Sequence, residues 1–261
     1  MAFYPIINAP FCNGLTTLCN FPPNNWEGLF NRSQYIHATF LDNGLWNSVY
    51  LGKLKNNESR SFQVKDFDFI SNTDDLILLS LSENLLEKTS HELPRIVQSE
   101  VYRNPVWRAS LKLVSEFTET SYQGELNFFP SKASLLTFSP FFQFGSNVNN
   151  YLLLLNIENS SNHREAKIEI FNVKTNQLIK SQLVSNNSIN LICVDDLDID
   201  EKDLTVVICR DMAFIPLYYS CANSGEFLSL EHSHPPSKLV VHGERFKVQG
   251  FLKKTWLTKL R

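Results

Sequence analysis

Apolar and polar residues alternate with a period near two along much of this chain, in short runs bounded by turn residues. In Lys167-Ile168-Glu169-Ile170 charged and apolar side chains take turns, as a strand with one wet face requires. Other strand-like runs cover 35–41, 46–54, 61–65 and 76–81 in the first half, and 151–157, 166–173, 177–184, 188–194 and 204–209 in the second. Lys174-Thr175-Asn176-Gln177, between two of these runs, has the composition of a hairpin turn. Helical patterns are few. Leu85, Leu86, Glu87 and Lys88 are placed to start a helix that Pro94 ends, and Leu252, Trp256 and Leu260 recur at helical spacing near the end. Many short strands with few helices predict an all-β or mostly β fold of antiparallel sandwiches or small barrels.

The order of the runs points to an internal duplication. Glu125 to Lys132 (ELNFFPSK) align without a gap onto Glu231 to Lys238 (EHSHPPSK), with Glu125, Pro130, Ser131 and Lys132 identical to their counterparts. Tyr35 to Asp42 pair with Tyr151 to Glu158, Phe67-Asp68-Phe69 with Leu197-Asp198-Ile199, and Asp75-Leu76 with Asp203-Leu204, all in the same order. The spacing between partners drifts, as it does when loops gain or lose residues. Two related antiparallel β-sandwich or barrel-like units are therefore expected, at 35–147 and 148–250. An irregular, Pro/Asn-rich lead-in at 1–34 precedes them and a basic tail at 251–261 follows. The helical stretch near 84–100 reads as an insertion in the first unit only. The Phe-rich segment holding Phe128, Phe129, Phe138, Phe141, Phe142 and Phe144 is expected to be buried between the units.

Composition narrows the function classes. With 261 residues, 43% hydrophobic and 20% charged, the chain has material for one large core or two small ones. A net charge of −3 gives no long-range attraction to nucleic acid or anionic lipid. No run approaches the roughly 18 uninterrupted apolar residues of a membrane span, and the start lacks a basic, signal-like region, so a cytoplasmic protein is expected. Five cysteines, Cys12, Cys19, Cys193, Cys209 and Cys221, are an odd number without framework spacing, which suits reduced thiols.

The densest cluster of ligand-type residues is Glu231-His232-Ser233-His234, with His242 beyond it. On a strand, positions i and i+2 share a face, so His232 and His234 would offer two imidazoles to one Zn, Fe or Mn ion, with His242 as a third ligand. Glu231 would be a fourth ligand or a general base, and Lys238 or Arg245 would position an anionic or sugar-like substrate. Gly225 followed by His-Ser-His resembles the first motif of the cupin family, although Pro235, Pro236, Ser237 and Lys238 stand where that motif has its glutamate. The resemblance covers about ten residues and implies a β-barrel; two-cupin proteins often hold metal in one half only. The alternative is that Pro235-Pro236 ends a strand and the histidines serve its turn. Asp195, Asp196, Asp198, Asp200, Glu201 and Asp203 resemble a calcium loop only superficially, because Glu201 stands where the sharp turn needs glycine. Glycine-rich nucleotide fingerprints and a nucleophile elbow are absent. Two functions remain: a non-catalytic binding or assembly module for a protein or carbohydrate, self-association included, and a metal-dependent enzyme using the His-x-His site. The lack of a catalytic signature favours the first.

Overall fold

Tight turns carry the residues that tolerate a left-handed backbone. Asn43 and Gly44, with φ of 50° and 74°, make the two-residue link of the longest hairpin, and Asn187, with φ of 52°, sits in an equally short link. Asn172 shapes the turn expected at 174–177, its Oδ1 accepting the N–H groups of Lys174 and Thr175. The computed structural model describes residues 3–20, 33–68, 76–96, 109–122, 136–140, 142–145, 147–195, 197, 199–200, 202–232 and 258.

In the first half the strands are β1 (Tyr4–Ile6), β2 (Asn13–Asn20), β3 (Gln34–Asp42), β4 (Leu45–Leu54), β5 (Glu58–Gln63), β6 (Ile77–Ser82), β7 (Thr89–Ser90), β8 (Ala109–Val114) and β9 (Glu119–Tyr122). The second half holds β10 (Leu136–Phe138), β11 (Val148–Asn156), β12 (Glu165–Asn172), β13 (Gln177–Ser185), β14 (Ser188–Cys193), β15 (Thr205–Cys209), β16 (Ile215–Ala222) and β17 (Leu228–His232). One 3-10 turn, Val64–Asp66, is the only helical element among the described residues. The strands form four antiparallel sheets: A (β5-β2-β8-β9), B (β1-β6-β3-β4-β7), C (β14-β11-β16-β17) and D (β10-β15-β12-β13).

Side-chain alternation sets how the sheets stack. Ile77, Leu79 and Leu81 of β6 join Leu18, Phe62 and Ala109 in a core between sheets A and B. Leu152 and Leu154 of β11 join Ile168, Ile170, Val184 and Val207 in a second core between sheets C and D. The opposite faces of the same strands meet in a third: Leu78 and Trp46 of sheet B pack with Tyr151, Leu153, Leu155, Leu217 and Tyr219 of sheet C. Sheet B thus packs between A and C and sheet C between B and D, while the edge strands β9 and β17 bring sheets A and C together as well, Ser115 Oγ donating to the Gly225 carbonyl at 2.7 Å. Leu111 and Leu113 of β8 also enter the central cluster. Strands β6 and β15 are buried at every position and β11 along most of its length, which explains why they read as continuous apolar runs.

Strand order in the two halves corresponds element by element. Sheets A and C run β5-β2-β8-β9 and β14-β11-β16-β17, and sheets B and D share β1-β6-β3-β4 and β10-β15-β12-β13. Register agrees as well. Thr39 faces Leu78 and Glu169 faces Ile208, an offset of 130 in both strands (169 − 39 and 208 − 78). Both hairpins carry one register shift, near the start of β3 between Ile36 and His37 and near the end of β12 between Ile170 and Phe171, so the shifts do not fall at matching positions. The correspondence re-pairs two landmarks: 35–42 matches β12, whereas β11 matches β2, and Asp75-Leu76 falls opposite Thr205-Val206 instead of Asp203-Leu204.

Three expectations change. The lead-in is not irregular, since β1 is an edge strand of sheet B and β2 a central strand of sheet A. Among its described residues Tyr4, Ile6 and Leu18 enter the core between sheets A and B and Phe3 the central cluster, each at 0–2% exposure, while Phe11 is exposed. Residues 84–96 form no helix. The insertion instead adds β7 to sheet B, bridges Glu92 to Ser160 and sends Leu93 and Ile96 into the central cluster. Tertiary packing outweighs the short helical pattern there. Phe138 and Phe142 lie inside the second sandwich and not between the units, because β10 pairs with β15 in sheet D.

Candidate functional site

Glu231 and His232 end β17, opposite Tyr218 and Leu217, and Glu231 is exposed. His234, His242, Lys238 and Arg245 lie outside the described residues, as does the tail from 251 apart from Thr258. Among the described residues no group of three or more His, Cys, Asp or Glu is arranged to hold a metal ion.

Other chemistry-bearing groups are occupied structurally. Both carboxylate oxygens of Asp195 accept the Asn150 N–H at 3.0 Å, and Asp203 accepts the Asp200 N–H at 3.1 Å, which holds its carboxyl below the usual range. Among its described residues, Asp195 and Asp203 are thus engaged with backbone N–H groups, and Asp196, Asp198 and Glu201 lie outside the described residues. All five cysteines are free thiols. Cys12 and Cys221 flank the Tyr219 hydroxyl at 3.8 and 3.1 Å, and burial pushes the Cys12 thiol up to about 11. A thiol so placed stays protonated near neutrality and is a poor nucleophile.

The outward face of sheet D offers a different site, built by β12, β13 and β15. Lys167, Glu169 and Phe171 alternate with the core residues Ile168 and Ile170, so they project from the sandwich. An open concavity of about 640 Å³ lies over them, bounded also by Asn176, Leu178, Arg210 and Asp211. Of its apolar lining, Phe171 belongs to a small buried cluster with Val206 and Ile208, with Val173 beside them, and Leu178 is exposed. Glu169 is ion-paired with Arg210 and lies 3.6 Å from Lys167 Nζ. Leu178 lies opposite Phe171 and Leu183 opposite Lys167, and with Leu204 they are 49, 62 and 57% exposed. Apolar surface ringed by balanced charge recognises a partner by contact and hydrogen bonding.

Sequence reasoning took Lys167-Ile168-Glu169-Ile170 as a strand with one wet face, and the buried side was legible. It missed that Phe171, Val206 and Ile208 gather on the outward side. The available signal was 204–209, too apolar throughout for a strand with one solvated face. No protein-family model, curated protein or solved structure matches this chain.

Proposed function

We propose that this chain is a non-catalytic binding or assembly module of two related β-sandwiches, receiving a protein or glycan partner on the outward face of sheet D. The observation that carries the reading is the concavity of about 640 Å³ lined by Phe171 and the exposed Leu178 and edged by the Lys167–Glu169–Arg210 charges. The matched strand order of the two halves supports descent from one duplicated unit. In the first sandwich the corresponding face, on sheet B, is occupied by sheet C, so this kind of face already serves for docking within the chain.

Protein and glycan arrays probed with the wild type and with Leu178→Asp and Arg210→Glu variants test this reading, beside a turnover panel of small metabolites. The expected result is a restricted set of bound partners, with affinity falling about tenfold or more in each folded variant. Binding indifferent to both substitutions, or multiple turnover of a metabolite, contradicts it.

A further inference from the structure

Exposed phenylalanines gather at one end of the two sandwiches. Phe11 lies in the β1–β2 turn, Phe117 in the β8–β9 turn, Phe144 in the β10–β11 link and Phe227 in the β16–β17 turn, at 53, 63, 46 and 37% exposure. By strand order these are two corresponding pairs of turns, each pair with one member in each half. Glutamate precedes phenylalanine in both hairpins, as Glu116-Phe117 and Glu226-Phe227. Hydrogen bonds hold the turns at the same end. Ser115 Oγ donates to the Gly225 carbonyl at 2.7 Å, the Asn223 N–H to the Asn147 carbonyl at 3.2 Å, and the Tyr219 hydroxyl to the Pro10 carbonyl. Phe11 has a φ of 63°, in the left-handed region that a bulky side chain avoids, so its ring is presented at a conformational cost. Phenylalanine is ordinarily buried, and four exposed rings on neighbouring turns have the character of an interaction surface.

We infer that this end receives a basic, apolar segment of a partner protein. None of its turns lines the sheet D concavity, so the surface is separate from the one proposed above. Charge selects the occupant. Glu116 and Glu226 are exposed, and the described residues of the four turns hold no Lys or Arg to pair with them. Lys112, on β8 beside them, is already paired with Glu119 at 2.7 Å. Carboxylates set among aromatic rings attract Lys and Arg, whose charge also favours the ring faces, and they repel an anionic bilayer. Beside Phe144 a cavity of about 170 Å³ is lined by Val148, Val194, Leu197 and Ile199, with Asp195 in its wall. An apolar wall carrying one carboxylate suits the stem and the charged head of a single Lys or Arg.

Short labelled peptides rich in Lys, Arg, Leu and Phe, titrated with the full chain and followed by fluorescence anisotropy, test the inference. Control sets carry Glu for each cation or Ser for each apolar residue. The basic, apolar set is expected to bind, and Glu116→Lys/Glu226→Lys and Phe117→Ser/Phe227→Ser each to weaken it about tenfold or more. Glu87→Lys/Glu92→Lys makes the same change of charge in the insertion that bridges to Ser160, beyond the far end of β11, and is expected to bind like the wild type. Leu178→Asp on sheet D is expected to do the same. Phe11→Asn, a residue that accepts the left-handed backbone, should weaken binding while leaving the thermal midpoint unchanged or higher. It replaces Phe117→Ser/Phe227→Ser if circular dichroism shows that variant unfolded. No binding, equal binding of a control set, or indifference to the turn substitutions overturns the inference. So does an equal loss in the Glu87/Glu92 variant, or a protein that ignores the peptides and binds phosphatidylcholine vesicles, which would give the rings to a membrane surface.

Discussion

His37 is buried on β3 between the rings of Tyr35 and Tyr50, with centroids at 6.5 and 5.9 Å, and its Nε2 accepts the Leu86 N–H at 3.3 Å. Burial lowers its pKa from the ordinary 6.5, because a charged imidazole loses solvation there and protonated Nε2 cannot accept the bond. The folded state therefore resists a proton that the unfolded chain takes up. Stability is full above about pH 6.5 and declines as the pH falls through and below that value. Urea midpoints between pH 7.5 and 5.5 should fall in the wild type and fall less in His37→Gln. An equal fall in both would assign the effect to other groups.

Among the elements, the insertion after β6 and the turn after β11 work as one clamp. Leu93 donates its N–H to the Asn159 carbonyl at 2.7 Å and Ser161 donates to that of His91 at 2.8 Å, so the first half grips the second beside the central cluster. Glu158 stiffens this turn from beneath. Its buried carboxylate meets Arg164 at 2.5 Å and Asn186 at 3.3 Å, while its N–H donates to Asn187. Glu158→Ala removes the carboxylate that Arg164 and Asn186 share and should lower unfolding stability by about 1–3 kcal/mol, measured by denaturant melting. A change within about 0.5 kcal/mol would mean that the network is decorative. The strands themselves were legible in the sequence because alternation and turn residues are local signals. The roles of 84–96 and of β1 and β2 were not, since packing against distant strands decides them. The pairing of Tyr35 to Asp42 with Tyr151 to Glu158 failed for a related reason: β3 and β11 are both largely buried strands, and composition alone does not separate the middle of sheet B from the middle of sheet C.

At the scale of the molecule, four sheets make three apolar layers. The central one uses the outward faces of two sandwiches that otherwise have complete cores of their own. The first sandwich spends its outward sheet B face inside the chain, and on the corresponding face of sheet D Phe171, Val206 and Ile208 are buried as well while Leu178 and Leu204 stay exposed. His232, His234 and His242 drew the eye in the sequence because imidazole spacing is visible along a strand. The sheet D face was not visible there, because Phe171, Leu178 and Ile208 converge only once β12, β13 and β15 are paired.

Hydrogen exchange of the full chain, compared peptide by peptide with and without a partner found on the arrays, tests the assigned face most directly. Slower exchange on binding confined to peptides covering β12, β13 and β15 is the result predicted for recognition at sheet D. Protection in β2, β5 and β8 of sheet A, with none in sheet D, would contradict it.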